Sequence, residues 1–115
     1  MSIKMGTSAE QAAKEYLQEK GLVLKLSNFR CKLGEIDLIM QEGVYLVFVE
    51  VRSRSSASYG NALESITYAK QQKIKKAAAF YLSSNKLHDK YPARFDVVSL
   101  QGSPWKIEWI KDAFQ

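Results

Sequence analysis

The chain has 115 residues, 46% hydrophobic and 25% charged, and 17 Lys and Arg against 12 Asp and Glu give it a formal net charge of +5. That is enough for one domain, residues 1–115, around a single sizeable core, with the composition of an ordinary soluble globular protein. The single cysteine, Cys31, excludes an internal disulfide and cannot make a zinc site alone, and the single histidine, His88, sits in a polar stretch that reads as a solvated loop, against Ser-His-Asp or Cys-His catalysis.

No apolar run approaches the roughly 18 residues that read as a membrane span. The start, MSIKMGTSAEQ, lacks the apolar stretch of a signal peptide, so a cytoplasmic location is expected. The basic balance is compatible with a polyanionic partner. Lys70, Lys73, Lys75 and Lys76 fall in one helical segment, while Arg30, Lys32, Arg52 and Arg54 flank two acidic strands.

Ala9, Ala12, Ala13, Tyr16 and Leu17 recur at i, i+3, i+4, i+7 and i+8, which predicts a first helix with one apolar stripe. Thr7 and Glu10 read as a T-x-x-E capping box, and Gly21 suits the residue just past the helix end. Glu10 lies at the margin of the stripe. It reads either as a capping glutamate or as a group aimed at whatever the helix packs on.

Leu22–Leu26 follows as a short strand, then a polar, basic connection through Asn28, Arg30 and Lys32 to a turn at Gly34. Glu35–Met40 and Val44–Arg52 are predicted as a hairpin closed around Glu42-Gly43. Their carboxylates stand out, because an unpaired charge in so apolar a strand costs several kcal/mol or is forced neutral. Alternation puts Glu35, Asp37 and Ile39 on one face of the first strand, and Val44, Leu46, Phe48, Glu50 and Arg52 on one face of the second. With Glu42-Gly43 as the loop, Gln41 pairs with Val44, Asp37 lies opposite Phe48, and Glu50 lies opposite Glu35 and diagonal to Asp37. The charged groups then project from one face, and a slip of one residue would separate Asp37 from Glu50.

Ser53–Ser58 reads as a polar loop closed by Tyr59-Gly60, and a helical region follows with a break near Thr67. Thr67 is a good N-cap for a helix to about Leu82, with Ile74, Ala77, Ala78 and Tyr81 on its buried stripe. Lys70 lies on that same stripe, placed to snorkel past the helix end or to reach into a site. After a loop over Ser83–Ala93 come a strand at Arg94–Leu100, a turn at Gln101–Pro104 and a last strand at Trp105–Ile110. Trp105, Ile107 and Trp109 share a face there, which favours core packing over base stacking. The order α-β-β-β-α-β-β suits a meander followed by a parallel crossover: an α/β domain with a mixed central sheet and flanking helices.

Adjacent carboxylates at Asp37 and Glu50 repel unless a cation sits between them. Mg²⁺, or Mn²⁺ in its place, meets that need with one or two carboxylates, and the Val51 carbonyl can add an oxygen. A cation so held would activate water and neutralise charge on a phosphodiester, with Arg52 expected either to orient the attacking water or to stabilise the transition state.

Asp37…Glu50-Val51-Arg52 resembles the PD-(D/E)xK nuclease signature in its D…E-x-K form. More closely, GEIDLI, VFVEVR, Tyr59-Gly60, Lys70-Gln71, RFDVV and Ala113-Phe114 resemble the uncharacterised bacterial YraN family, related in pattern to archaeal Holliday-junction resolvases, over nearly the whole chain. The resemblance implies a restriction-endonuclease-like fold and, by analogy, a magnesium-dependent nuclease acting on DNA rather than RNA, on branched or otherwise structured substrates. Two active sites for symmetric cleavage would call for a homodimer. It implies Asp37 and Glu50 as metal-binding carboxylates and Glu10 as the acidic residue of the first helix. Arg30, Lys32, Arg54 and Lys73 are read as nucleic-acid contacts from their charge and position. Arg52 stands where the signature has lysine; it keeps the charge and grips phosphate but cannot act as a base. Three readings stay open: Arg52 serves electrostatically, Lys70 supplies the missing ammonium, or catalysis is lost and a nucleic-acid-binding module remains.

Overall fold

The computed structural model describes residues 5–54, 66–87 and 89–115, without the side chains of residues 5–8 and 54. The elements are α1 (Met5–Glu19), β1 (Val23–Cys31), β2 (Gly34–Glu42), β3 (Tyr45–Arg54), α2 (Tyr68–Ser84), β4 (Ala93–Gln101) and β5 (Lys106–Phe114). The five strands form one mixed sheet in the order β1-β2-β3-β4-β5. The first three are an antiparallel meander, β3 and β4 run parallel on either side of α2, and β5 returns antiparallel. This is the predicted α-β-β-β-α-β-β architecture, compatible with a restriction-endonuclease-like fold.

The helices cover opposite faces. Ala9, Ala13 and Leu17 of α1 pack with Leu38, Met40, Val47, Val49, Val98 and Leu100. Ile74, Ala77 and Ala78 of α2 pack with Ile36, Ile39, Leu46, Phe48 and Val97. Trp105, Ile107 and Trp109 lie together against the α1 cluster, as core packing requires. Gly21, at φ 101, ends α1 with two bonds, Leu22 N–H to Leu17 O and Gly21 N–H to Gln18 O, both at 3.0 Å. That is a Schellman cap, and its two apolar partners, Leu17 and Leu22, are both buried. Thr67 caps α2 by accepting the Lys70 N–H at 3.1 Å.

Several local expectations are corrected. Helix α1 begins at Met5, ahead of Thr7, so Thr7 and Glu10 form no capping box. Strand β1 continues to Cys31, which puts Asn28 and Arg30 on the strand, and β5 continues to Phe114. Neither extension has a strongly apolar pattern, because both are edge strands. The hairpin turn is Gly43–Val44, flanked by the pair Glu42↔Tyr45, rather than Glu42-Gly43. Gly43 has φ 59, and a glycine first in a two-residue loop is what a type II′ turn takes. The shift moves the register by two residues, so every side chain keeps its face, and Asp37 moves from opposite Phe48 towards Glu50. Strand β3 continues to Arg54, pairing with β4, so Ser53 lies on a strand and not in the predicted Ser53–Ser58 loop; the rest of that loop from Ser55, with Tyr59, Gly60 and His88, lies outside the described residues.

Candidate active site

Strands β2 and β3 pair regularly from Glu42↔Tyr45 to Leu38↔Val49. At the next position the Asp37 carboxylate takes up a backbone group: Val51 N–H donates to Asp37 Oδ2 at 2.8 Å. A residue's N–H and C=O point to the same edge of a strand, so the Val51 carbonyl is directed to this side as well. The sheet also changes its allegiance here. Leu38 packs in the α1 cluster and Ile36 in the α2 cluster, although residues two apart on a strand normally share a face. On the neighbouring strand Asn28, at φ 55, lies between the pairs Ser27↔Leu38 and Phe29↔Ile36, facing Asp37. Asp37 therefore sits at a twist in the sheet that both helices can reach.

From the α2 side comes Lys70, whose Nζ lies 3.5 Å from Glu50 Oε2. Arg52 Nη1 approaches the same oxygen, also at 3.5 Å. Glu50 is only 6% exposed. Burial, and then the Asp37 charge, push its carboxyl up to about 7, against the opposing pull of Lys70 and Arg52. Burial also raises Asp37, while the Val51 N–H, the hydrogen bond with Glu50 and Lys70 act to lower it. Both shifts favour a proton retained on the carboxylate pair, with burial the largest cause for each.

From the α1 side comes Glu10, which lines a cleft with Asn28 and whose carboxyl is raised by burial and then by the Asp37 charge, with the Asn28 side chain acting to lower it. Freed from any capping role, Glu10 faces the sheet. Glu10, Asp37 and Glu50 are thus electrostatically linked in series, with Lys70 and Arg52 at the far end.

The predicted nucleic-acid contacts are spread more widely. Arg30 is exposed and lies 3.9 Å from Glu35, itself exposed, on the adjacent strand. Lys32 is exposed in the β1–β2 turn, and Lys73 is exposed on α2. Arg54 ends β3. Strand direction puts Arg30, Lys32, Gly34, Arg52 and Arg54 at the same end of the sheet as the acidic pair. Gly34 sets how closely α2 approaches that end, since a Cβ there would stand 2.8 Å from the Lys73 carbonyl oxygen.

A second buried carboxylate, Asp96 in RFDVV, shows what full compensation looks like. It is 0% exposed and accepts from Arg94 Nε and Nη2, Trp109 Nε1 and the Asp112 N–H, each at 2.9 Å. Arg94 also reaches Glu42 at 2.8 Å and so ties β4 to the β2–β3 hairpin. Asp96 is saturated; Glu50 has two cations at 3.5 Å on one oxygen. Among the described residues no three His, Cys, Asp or Glu side chains form a metal cage. A hard cation here would draw on the Asp37–Glu50 pair, a backbone carbonyl and oxygens from outside the protein, a donor set suited to Mg²⁺.

The importance of Asn28 and of Asp96 escaped the sequence reading. For Asp96 a signal existed, a carboxylate inside an apolar strand two residues after an arginine. For Asn28 none did beyond the tolerance of asparagine for positive φ.

A model of the uncharacterised protein family UPF0102 matches residues 9–100. A UPF0102 protein of Legionella pneumophila is 55% identical over 99% of this chain and 97% of its own length. One from Saccharophagus degradans is 50% identical, covering 95% of this chain and 91% of the relative. One from Pseudomonas putida is 46% identical, over 97% and 93% respectively.

Proposed function

The chain belongs to the uncharacterised protein family UPF0102, and from that premise and the site geometry we propose that it is a metal-dependent endonuclease hydrolysing phosphodiester bonds of DNA, on branched or structured substrates. The observation that carries the reading is the meeting of Asp37 and Glu50 where the β2–β3 ladder ends, under-compensated and beside two cations.

Asp37, Glu50 and the Val51 carbonyl would hold a Mg²⁺ or Mn²⁺ ion. When bound, that ion would supply Lewis-acid neutralisation of the phosphate and an acidified water. Asp37, fixed by the Val51 N–H, presents its remaining lone pairs in a set direction. Glu50 would hold the ion in its deprotonated form, since a cation's charge would offset the burial that otherwise favours the neutral carboxyl. Arg52 and Lys70 are placed to leave Glu50 for a phosphate oxygen and stabilise charge building there. Arg52 stays protonated and acts electrostatically, so Lys70 is the side chain able to fill the role of the signature lysine. Glu10, linked through Asp37, orients that carboxylate or accepts a proton from the incoming water. Arg30, Lys32, Arg54 and Lys73 supply flanking phosphate contacts, and a second copy of the chain would be needed for paired cuts in a branched duplex.

Cleavage of linear, nicked and four-way-junction DNA with Mg²⁺ or Mn²⁺ tests this. Activity that survives Asp37→Ala and Glu50→Ala equally well would remove the site assignment. One observation favours a second reading, a noncatalytic nucleic-acid-binding module. Lys70 and Arg52 already give Glu50 two countercharges, so a folded site does not require a metal. That module would bind in a salt-sensitive manner without metal and yield no product.

A further inference from the structure

We propose that the cleft between α1 and the β1–β2 edge is a subsite for a nucleic-acid backbone phosphate neighbouring the one at Asp37 and Glu50, with Lys14 as its cation; this rests on the nuclease reading for its direction but not for its test. The cleft is about 170 Å³ and is lined by Glu10, Gln11, Lys14, Ser27, Asn28 and Leu38. At about 30 Å³ per water molecule it has room for a phosphate group with part of its hydration shell.

Three features favour a phosphate. First, the cleft is continuous with the carboxylate series, because Glu10 belongs to both. Second, its chemistry is graded. The acidic end is Glu10, turned to Asn28 and Asp37. Lys14 lies four residues on, about 6 Å along the same face of α1 and on the scale of one nucleotide step. Third, Lys14 is half-buried and has no ion pair among the described residues, whereas Lys70, Arg52, Arg94 and Lys111 each have one. A half-buried lysine that lines a cleft beside Glu10, without an ion pair among the described residues, is available to an external anion. Ser27 and Asn28 add neutral donors on the opposite wall.

A strand laid across the site would then pass from Lys70 and Arg52 on the α2 side, over Asp37, to Lys14 on the α1 side. Lys14 is a positioning residue in this arrangement. It touches the substrate one phosphate away and contributes to affinity and register.

The test is equilibrium binding to duplex DNA in EDTA at several salt concentrations, which needs neither metal nor cleavage. Lys14→Ala is expected to weaken binding about five- to tenfold at low salt and to reduce the salt slope by about 0.9. Lys14→Glu should weaken it further, Lys14→Arg should restore it, and Lys90→Ala, at an exposed lysine between α2 and β4, should be neutral. The loss should be as large on covalently closed circles as on linear duplex with or without 5′-phosphates. Loss confined to 5′-phosphorylated ends would overturn the assignment to an internal phosphate. Unchanged binding by both Lys14→Ala and Lys14→Glu would overturn the subsite, even with wild-type cleavage intact. A wild type that binds but never cleaves would sink the nuclease reading and leave the Lys14 result standing.

Discussion

The Asp37 carboxylate accepts the backbone N–H of Val51 at 2.8 Å, across the point where strands β2 and β3 stop pairing. One side chain thus closes a backbone donor that the ladder leaves open and fixes the carboxylate against Glu50 and the Val51 carbonyl. Replacing Asp37 should therefore affect both fold and chemistry. Asp37→Asn keeps an acceptor for the N–H and should retain near wild-type stability while losing metal-dependent cleavage. Asp37→Ala should lose both, with a destabilisation of about 1–3 kcal/mol for the orphaned N–H. Thermal or denaturant unfolding of the two variants checks this.

Glu50 separates stability from activity in the opposite sense. Its burial beside Asp37 disfavours the charged form. Glu50→Gln removes that charge at nearly constant volume. At pH 8 without divalent ions the variant should be at least as stable as the wild type. Cleavage should fall by about 100-fold or more, to background. Parallel melting curves and cleavage assays measure the two effects.

The same shift makes a pH prediction. Glu50 titrates near 4.5 when unfolded and near 7 when folded, so between those values the folded state holds the extra proton. Its contribution to stability is complete below pH 4.5 and is lost as pH rises through 7. For one group shifted this far, the loss is on the order of 2–3 kcal/mol, lessened by coupling to Asp37. Metal-free protein should lose this increment between pH 5 and 8, and Glu50→Gln should flatten the slope to the smaller part that Asp37 and Glu10, also raised by burial, contribute. Millimolar Mn²⁺ at pH 8 should restore stability by binding the folded state alone.

Gly34 tests how the helix is seated. A methyl group there would meet the Lys73 carbonyl at 2.8 Å, so Gly34→Ala must push α2 off the start of β2. A destabilisation of about 1–3 kcal/mol is expected. Because Lys70 rides on the same helix, its contact with Glu50 should loosen and cleavage should fall more than with Lys73→Ala.

Asp96→Asn should cost about 1–3 kcal/mol, because the amide turns its own donors towards a site lined with donors, while Arg94 keeps Glu42 as a countercharge. Its metal affinity at low temperature should stay close to that of the wild type, since Asp96 is saturated within its own network. Calorimetric titration with Mn²⁺ distinguishes this scaffold role from the role of Asp37 and Glu50.

Much of this was legible in the residues. Period 3.6 in Ala9–Leu17 and in Ile74–Tyr81, and apolar strands interrupted by carboxylates, were enough for the element order and for placing Asp37 and Glu50 on one face. That shared face survived a misplaced turn because the error was two residues and strand faces repeat every two, whereas the direct juxtaposition of Asp37 with Glu50 came only with the observed register. Lys70 was visible as a cation on an apolar stripe. Other features depend on contacts between segments distant in the chain. The twist at Asn28 and Asp37, the release of Glu10 from a capping role, the saturation of Asp96 and the cleft that Lys14 lines arise from how two helices and five strands pack in space. Local pattern sets which side chains lie on which face because backbone geometry is periodic. It does not set which charges meet, since that depends on separations of a few ångströms between elements whose approach is governed by packing and by residues such as Gly34.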